Sequence, residues 1–267
     1  MPLPISYGNL LDQLRHESPL VQCITNYVAM NFAANTLLAA GASPAMVHAP
    51  EEAGEFASIA GALTINIGTL SSQWLEGMLV AAGAANQSGR PWVLDPVAHF
   101  ATAYRRKAME ELLALQPAVI RGNASEIMAL AGDASSGRGV DSGDSVERAE
   151  VLAMVLARRV HAVIAVTGET DFVTDGQDSV RIAGGSALMP KVTAMGCALT
   201  GLVGAFVAVT PESPLNATVA ALACFSVAGW QAAQEASGPG SFAWRFIDAL
   251  AGLDGNTLQA QAEITRA

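Results

Sequence analysis

Short apolar runs alternate with helical stretches over the first two thirds of this 267-residue chain, and that alternation limits the possible folds more than any other feature. Leu20 to Ile24, Ala45 to Val47, Leu63 to Ile67, Trp92 to Leu94, Ala118 to Ile120 and Ala162 to Val166 are β-branched or otherwise apolar and are closed by Gly, Pro, Asn or Asp, as strands are. Between them, Tyr27 to Ala40, Ser71 to Gln87, Thr102 to Leu115, Ala124 to Leu130 and Ser145 to Arg159 read as helices. Strands apolar throughout and joined through helices must be buried on both faces, which predicts an α/β fold of three layers, α/β/α, around a central, mostly parallel sheet. Phe172 to Thr174 and Val180 to Ile182 then predict a hairpin across Asp175 and Gly176, and everything beyond reads as helical. No internal repeat is present, and Gly132 to Asp144, rich in Gly, Ser and Asp, is the one stretch expected to be flexible.

With 51% hydrophobic and 14% charged residues, the chain suits a single well-packed domain over residues 1–267. Its formal net charge of −10 and the lack of any Lys/Arg-rich block argue against nucleic acid as a partner. An anionic ligand would have to rely on local groups. Cys23, Cys197 and Cys224 have no paired spacing and lie among apolar residues, which predicts reduced thiols in a cytoplasmic protein. The first 16 residues do not read as an export signal, and the apolar run from Leu215 to Gly229 is broken by Asn216, Thr218 and Ser226, so no membrane span is expected.

In open α/β sheets ligands gather beyond the carboxyl ends of the strands, and the polar residues fall there. Thr25 and Asn26 follow the first strand, Asn66 and Gly68 the third, Asp95 the fourth, Arg121 and Asn123 the fifth, and Thr167 and Gly168 the sixth. Each could be a turn former or helix cap, but caps alone do not explain an arginine and two carboxylates on one rim. The run Thr193, Ala194, Met195, Gly196, Cys197 leads into an apolar helix expected from about Ala198 to Val209. Such a helix start offers unpaired N–H groups to a phosphate.

The segments Val21 to Asn26, Gly41 to Met46, Leu94 to Val97, Ile120 to Ile127, Gly139 to Ser142, Val166 to Gly168 and Gly238 to Phe242 resemble, in order and spacing, those of hydroxyethylthiazole kinases, a family with the ribokinase-like fold. The resemblance implies phosphorylation by ATP of 4-methyl-5-(2-hydroxyethyl)thiazole, a salvage step towards thiamine, with Mg²⁺ as the metal. It implies Asp95 and Glu126 at the metal, Arg121, Asn123, Thr167, Gly168 and Gly196 at the nucleotide, and Met46, Asn26 and Ala194 at the thiazole alcohol. Cys197 stands where most ribokinase-like enzymes place a proton-accepting aspartate. A thiol at a helix start is expected to ionise more easily than usual, and whether Cys197 is a base or a contact stays open. The resemblance further implies a homotrimer with pockets between subunits.

Two departures bear on rate and acceptor. Where the family usually reads Gly-Thr-Gly-Cys, this chain reads Ala194, Met195, Gly196, Cys197, losing a free backbone and a hydroxyl. After Asp95-Pro96-Val97, Ala98, His99, Phe100 and Ala101 replace small residues and glycine; His99 is expected to be solvated, as a lone loop histidine more often is, rather than recruited to phosphate, and Phe100 to narrow the acceptor pocket. The alternatives are a kinase of another small heterocyclic or sugar alcohol, or a weakly active ligand-binding paralogue.

Overall fold

The computed structural model describes residues 6–132 and 144–267. The stretch expected to be flexible, and the Gly139 to Ser142 segment, lie almost wholly outside the described residues. The elements run α1 (Tyr7–Glu17), β1 (Leu20–Ile24), α2 (Met30–Ala40), β2 (Ser43–Ala45), α3 (Pro50–Ile59), β3 (Ala62–Asn66), α4 (Ser72–Gln87), β4 (Trp92–Asp95), α5 (Ala103–Leu113), β5 (Val119–Asn123) and α6 (Ala124–Ala131). They continue with α7 (Asp144–Val160), β6 (Val163–Thr167), β7 (Asp171–Thr174), β8 (Ser179–Ala183), α8 (Met195–Val209), α9 (Pro214–Glu235), α10 (Pro239–Gly252), α11 (Gly255–Gln261) and β9 (Glu263–Arg266).

The strands form one sheet in the order β2-β1-β3-β4-β5-β6-β7-β8-β9. Every pair from β2 through β6 is parallel, and β7, β8 and β9 are antiparallel. The parallel strands are apolar because both faces are covered. One hydrophobic cluster joins the sheet to α1, α2, α8, α9 and α10, and a second joins its other face to α3, α4, α6 and α7, with Met109 and Leu112 of α5. Register sets Asn66 beside Asp95 and Asn123 beside Thr167 at the carboxyl edge. Those pairings begin the site.

Three expectations need correction. The chain after β8 is not all helical, since β9 pairs with β8 at the sheet edge. The α2 helix starts at Met30 rather than Tyr27, because Asn26 Oδ1 accepts from the N–H groups of Val28 and Ala29 and holds those residues in a turn. The α8 helix starts at Met195, so Gly196 and Cys197 sit inside its first turn. It lies close on the sheet: a Cβ at Gly204 would come 2.4 Å from Thr64 Cγ2, which only glycine avoids. The α9 helix is, by length and composition, the one described helix long and apolar enough to cross a membrane, and most of it is buried in the protein.

Candidate active site

At the carboxyl edge a line of buried polar side chains crosses three strands and ends on α8. Asn26 Nδ2 donates to Asn66 Oδ1 at 2.9 Å and to Cys197 Sγ at 3.2 Å. Asn66 Nδ2 donates to Asp95 Oδ2 at 2.7 Å, and Thr200 Oγ1, one turn beyond Cys197, donates to the same oxygen at 2.9 Å. Arg121 Nη1 is also nearest that oxygen, at 3.6 Å. None of these contacts falls on Asp95 Oδ1. Burial pushes the Asp95 carboxyl up, opposed by Arg121 and by the hydrogen bonds from Thr200 and Asn66. The Cys197 thiol is pushed up as well, by burial and by the charge of Asp95, and the hydrogen bond from Asn26 offsets only part of this. The expectation of an easily ionised thiol is therefore corrected: burial outweighs the helix end, and Cys197 is a neutral thiol.

Arg121 is the hinge between this line and a cleft of about 840 Å³. Its Nη2 donates to Thr167 Oγ1 at 2.6 Å, and Thr167 Oγ1 is 3.3 Å from the Gly122 carbonyl. A Cβ at Gly196 would stand 2.8 Å from Arg121 Nη1, so a side chain there would push the guanidinium from its place beside Asp95 and Thr167. Among the described residues, Arg121 Nε is buried without a hydrogen-bond partner. A buried, permanently charged donor left unpaired costs stability and is tolerated where an anion completes it. Arg121, Asn123, Thr167, Gly168 and Gly196 all line the cleft, with Asp171 on the same wall and Met189, Met195, Leu199 and Phe225 supplying apolar surface.

Glu126 is buried, and both its oxygens are taken by backbone. Oε1 accepts from Ala98 N–H and Oε2 from Asn123 N–H, each at 2.9 Å, while Asn123 Oδ1 accepts from Glu126 N–H at 3.0 Å. This capping box starts α6 and ties it to the loop after β4. Ala98, at φ +47°, is held in a left-handed turn by that contact. His99, expected to be solvated, is 5% exposed, and burial lowers its pKa. Phe100 sets its ring against the His99 imidazole and is not part of the cleft wall. Among the described residues no three or more His, Cys, Asp or Glu gather to hold a metal. Asp95, whose Oδ1 takes none of the contacts above, and Glu126 would be the protein's oxygen donors to a magnesium ion whose remaining ligands came from nucleotide phosphates and water, as Mg²⁺ sites commonly require.

The residues expected at the acceptor divide. Asn26 has both amide hydrogens and its carbonyl committed inside the protein, so it has no hydrogen bond to offer a substrate. Ala194 caps α8 at φ +70°, and Ala198 N–H donates to its carbonyl at 2.9 Å. Met46 is half-buried after β2 and outside the cleft. Asn66, Thr200 and Asp171 belong to the assembly although no site role was expected of them; Asn66 alone carried a signal, its place at a strand end.

A three-layer α/β/α fold whose sheet joins, at its carboxyl edge, a carboxylate, an arginine anchored through its fork and the start of a buried helix is the frame of the small-molecule kinases of the ribokinase-like class. The hydroxyethylthiazole kinase structure from Pyrococcus horikoshii superposes with a TM-score of 0.90 at 41% identity over 98% of each chain. The pyridoxal kinase of Staphylococcus aureus, solved with AMP-PCP and pyridoxal, shares the fold at a TM-score of 0.62 and 17% identity, over 93% of this chain and 99% of that one. The profile of the hydroxyethylthiazole kinase family matches residues 11–256. Hydroxyethylthiazole kinases from Rhizobium johnstonii and Cereibacter sphaeroides are 68% and 60% identical over 260 residues, 97% of this chain and 97% and 98% of theirs. The chain belongs to the hydroxyethylthiazole kinase family.

Proposed function

We propose that this protein transfers the γ-phosphoryl group of ATP to the hydroxyl of 4-methyl-5-(2-hydroxyethyl)thiazole, in thiamine salvage, as a magnesium-dependent cytoplasmic homotrimer. The observation that carries the nucleotide half is Arg121, whose fork is anchored on Thr167 and beside Asp95 while its buried Nε has no partner among the described residues. In the loose transition state of phosphoryl transfer, charge neutralisation and alignment supply most of the acceleration, and a strong base is not needed. Bound magnesium would screen the β- and γ-phosphates. Arg121 and the first N–H groups of α8 face the developing charge. Cys197, kept as a neutral thiol, contacts and orients the acceptor, whose hydroxyl proton passes to solvent without a preformed thiolate.

The trimer is supported by Tyr27 and Val28, 65% and 60% exposed directly after Asn26, and by Met46 lying outside the cleft of a single chain. Large apolar side chains exposed beside a site suit an interface that completes it. Light scattering on a sizing column should give three chains per particle, and a monomer would remove this part. The reduced state of all three cysteines accords with a cytoplasmic setting. The activity is tested by incubating the protein with ATP, Mg²⁺ and the thiazole alcohol and following ADP and thiazole phosphate. Asp95→Asn keeps an oxygen for Asn66 and Thr200, so it should fold normally and lose about 10²-fold or more in kcat. Full activity of that variant at limiting Mg²⁺ would remove Asp95 from the metal.

A further inference from the structure

The amides at the carboxyl ends of β1 and β3 have only one orientation open to them. Asn26 Oδ1 accepts from Val28 and Ala29 N–H at 3.1 and 3.0 Å, so the NH₂ half must face Asn66 and Cys197. Asn66 Oδ1 accepts from Asn26 and from Gly68 N–H at 2.9 Å, so its NH₂ half must face Asp95. Backbone donors fix both amides, and polarity along the line follows: Asn66 donates to Asp95, while Asn26 donates to Asn66 and to Cys197. Asn66 is 2% exposed and has no route to a substrate.

We propose that Asn66 is a positioning residue for the transfer. It locks Asp95, on the phosphate side, to Cys197, on the acceptor side, through Asn26, so that the acceptor hydroxyl and not water meets the γ-phosphorus. The inference rests on the kinase reading. In the transfer the γ-phosphorus exchanges its bond to the β,γ-bridging oxygen for one to the acceptor oxygen, ADP leaves with the electron pair, and the alcohol proton passes to solvent. The surroundings hold the lock in place. A Cβ at Gly68 would stand 2.7 to 2.9 Å from side-chain atoms of Asn26. Arg105, from α5, donates to the carbonyls of Ile67 at 2.7 Å and Val97 at 2.9 Å, and to that of Gly68, which pins the loop.

The experiment measures ADP and thiazole phosphate separately, with KM for ATP and thermal melting, for wild type, Asn66→Ala and Gly68→Ala. Misalignment by about 1 Å is expected to cost about 10²-fold in thiazole phosphate formation. KM for ATP should stay within about twofold, and ADP released per thiazole phosphate should rise from near one to at least about three as water replaces the acceptor. Loss of folded protein lowers both products equally and leaves that ratio alone. A cooperatively melting Asn66→Ala that keeps a ratio near one overturns the proposal. If Asn66→Ala does not melt cooperatively, Gly68→Ala decides, because it displaces Asn26 without removing a buried amide, and an unchanged ratio there overturns the proposal equally. A wild type that forms no thiazole phosphate overturns the kinase reading itself, an outcome visible before any variant is compared.

Discussion

Asp171 is a carboxylate in the wall of a cleft that suits a polyanion, and its environment explains how the two coexist. Its Oδ1 accepts from Gly168 N–H at 3.0 Å, and burial pushes its carboxyl up to about 6 against lowering by that N–H and by Arg121. Well below pH 6 the group is mostly neutral and does not oppose a triphosphate. Above it, the nucleotide meets a negative charge or drives protonation, so KM for ATP should rise with pH through about 6. Asp171→Asn keeps an acceptor for Gly168 and never ionises. The ratio of wild-type to variant KM is expected to climb about threefold between about pH 5.5 and 7.5, and parallel curves would dismiss the charge. Glu126→Gln differs in kind from a change at Asp95, because it takes one acceptor from the Ala98 or Asn123 N–H. It should lower stability by about 1–2 kcal/mol in urea titration and reduce kcat less than Asp95→Asn. Residues at strand ends, such as Arg121, Asn123, Thr167 and Gly168, were legible because position alone brings them to one rim. Thr200 lies inside an apolar helix and Asp171 reads as hairpin polarity, so only burial and partners reveal them. The ionisation of Cys197 is hidden from sequence for the same reason: a helix end is visible there, and desolvation is not.

The start of α8 shows what local patterning conveys about an element and what it misses. Thr193 to Cys197 reads as a turn because of its small residues, yet the Ala198 N–H to Ala194 carbonyl bond makes Ala194 the cap and draws Gly196 and Cys197 into the helix. Ala194 adopts φ +70°, a left-handed conformation that costs an L-residue about 1–2 kcal/mol. Glycine removes that cost but has more unfolded-state freedom to lose, so Ala194→Gly should gain no more than about 1 kcal/mol in urea titration. A loss of stability would mean that the alanine methyl makes contacts outweighing the strain. Met195, next along, is 5% exposed, packs in the core and also lines the cleft. Met195→Thr should cost about 1–3 kcal/mol of packing and raise kcat by placing a hydroxyl beside the phosphates. A slower, less stable variant would mean that Met195 is an adaptation of this chain.

Across the whole molecule, the alternation of strand and helix is enough to specify the parallel part of the sheet and its two covering layers, because each buried strand must be apolar on both faces. It does not specify the antiparallel edge in full. The four residues of β9 carry one half-buried apolar side chain, Ile264, among exposed polar ones, so no local pattern marks them as a strand. Their conformation is imposed by the free edge of β8, to which Glu263 through Arg266 are paired. Likewise α1 and α3, absent from the sequence reading, gain their helical state largely from packing, α1 on α8 and α11 and α3 on α4. Removal of residues 263–267 tests how far that edge matters. The exposed ion pair between Arg266 and Asp178 contributes little, so the main loss is the ladder itself. An uncovered β8 is a template for pairing with another chain, and light scattering should show particles larger than those of the intact protein, growing with concentration. Ile182 of β8 and the Gly184–Gly185 turn after it line the cleft, whereas Asp95 lies on β4, four strands from β8, and Cys197 is held by α8. KM for ATP should therefore rise by a few-fold, ~0.5–1 kcal/mol, with kcat little changed. A truncated protein that matches the intact one in particle size and in KM would show that the cleft is held by α9 and the parallel strands alone.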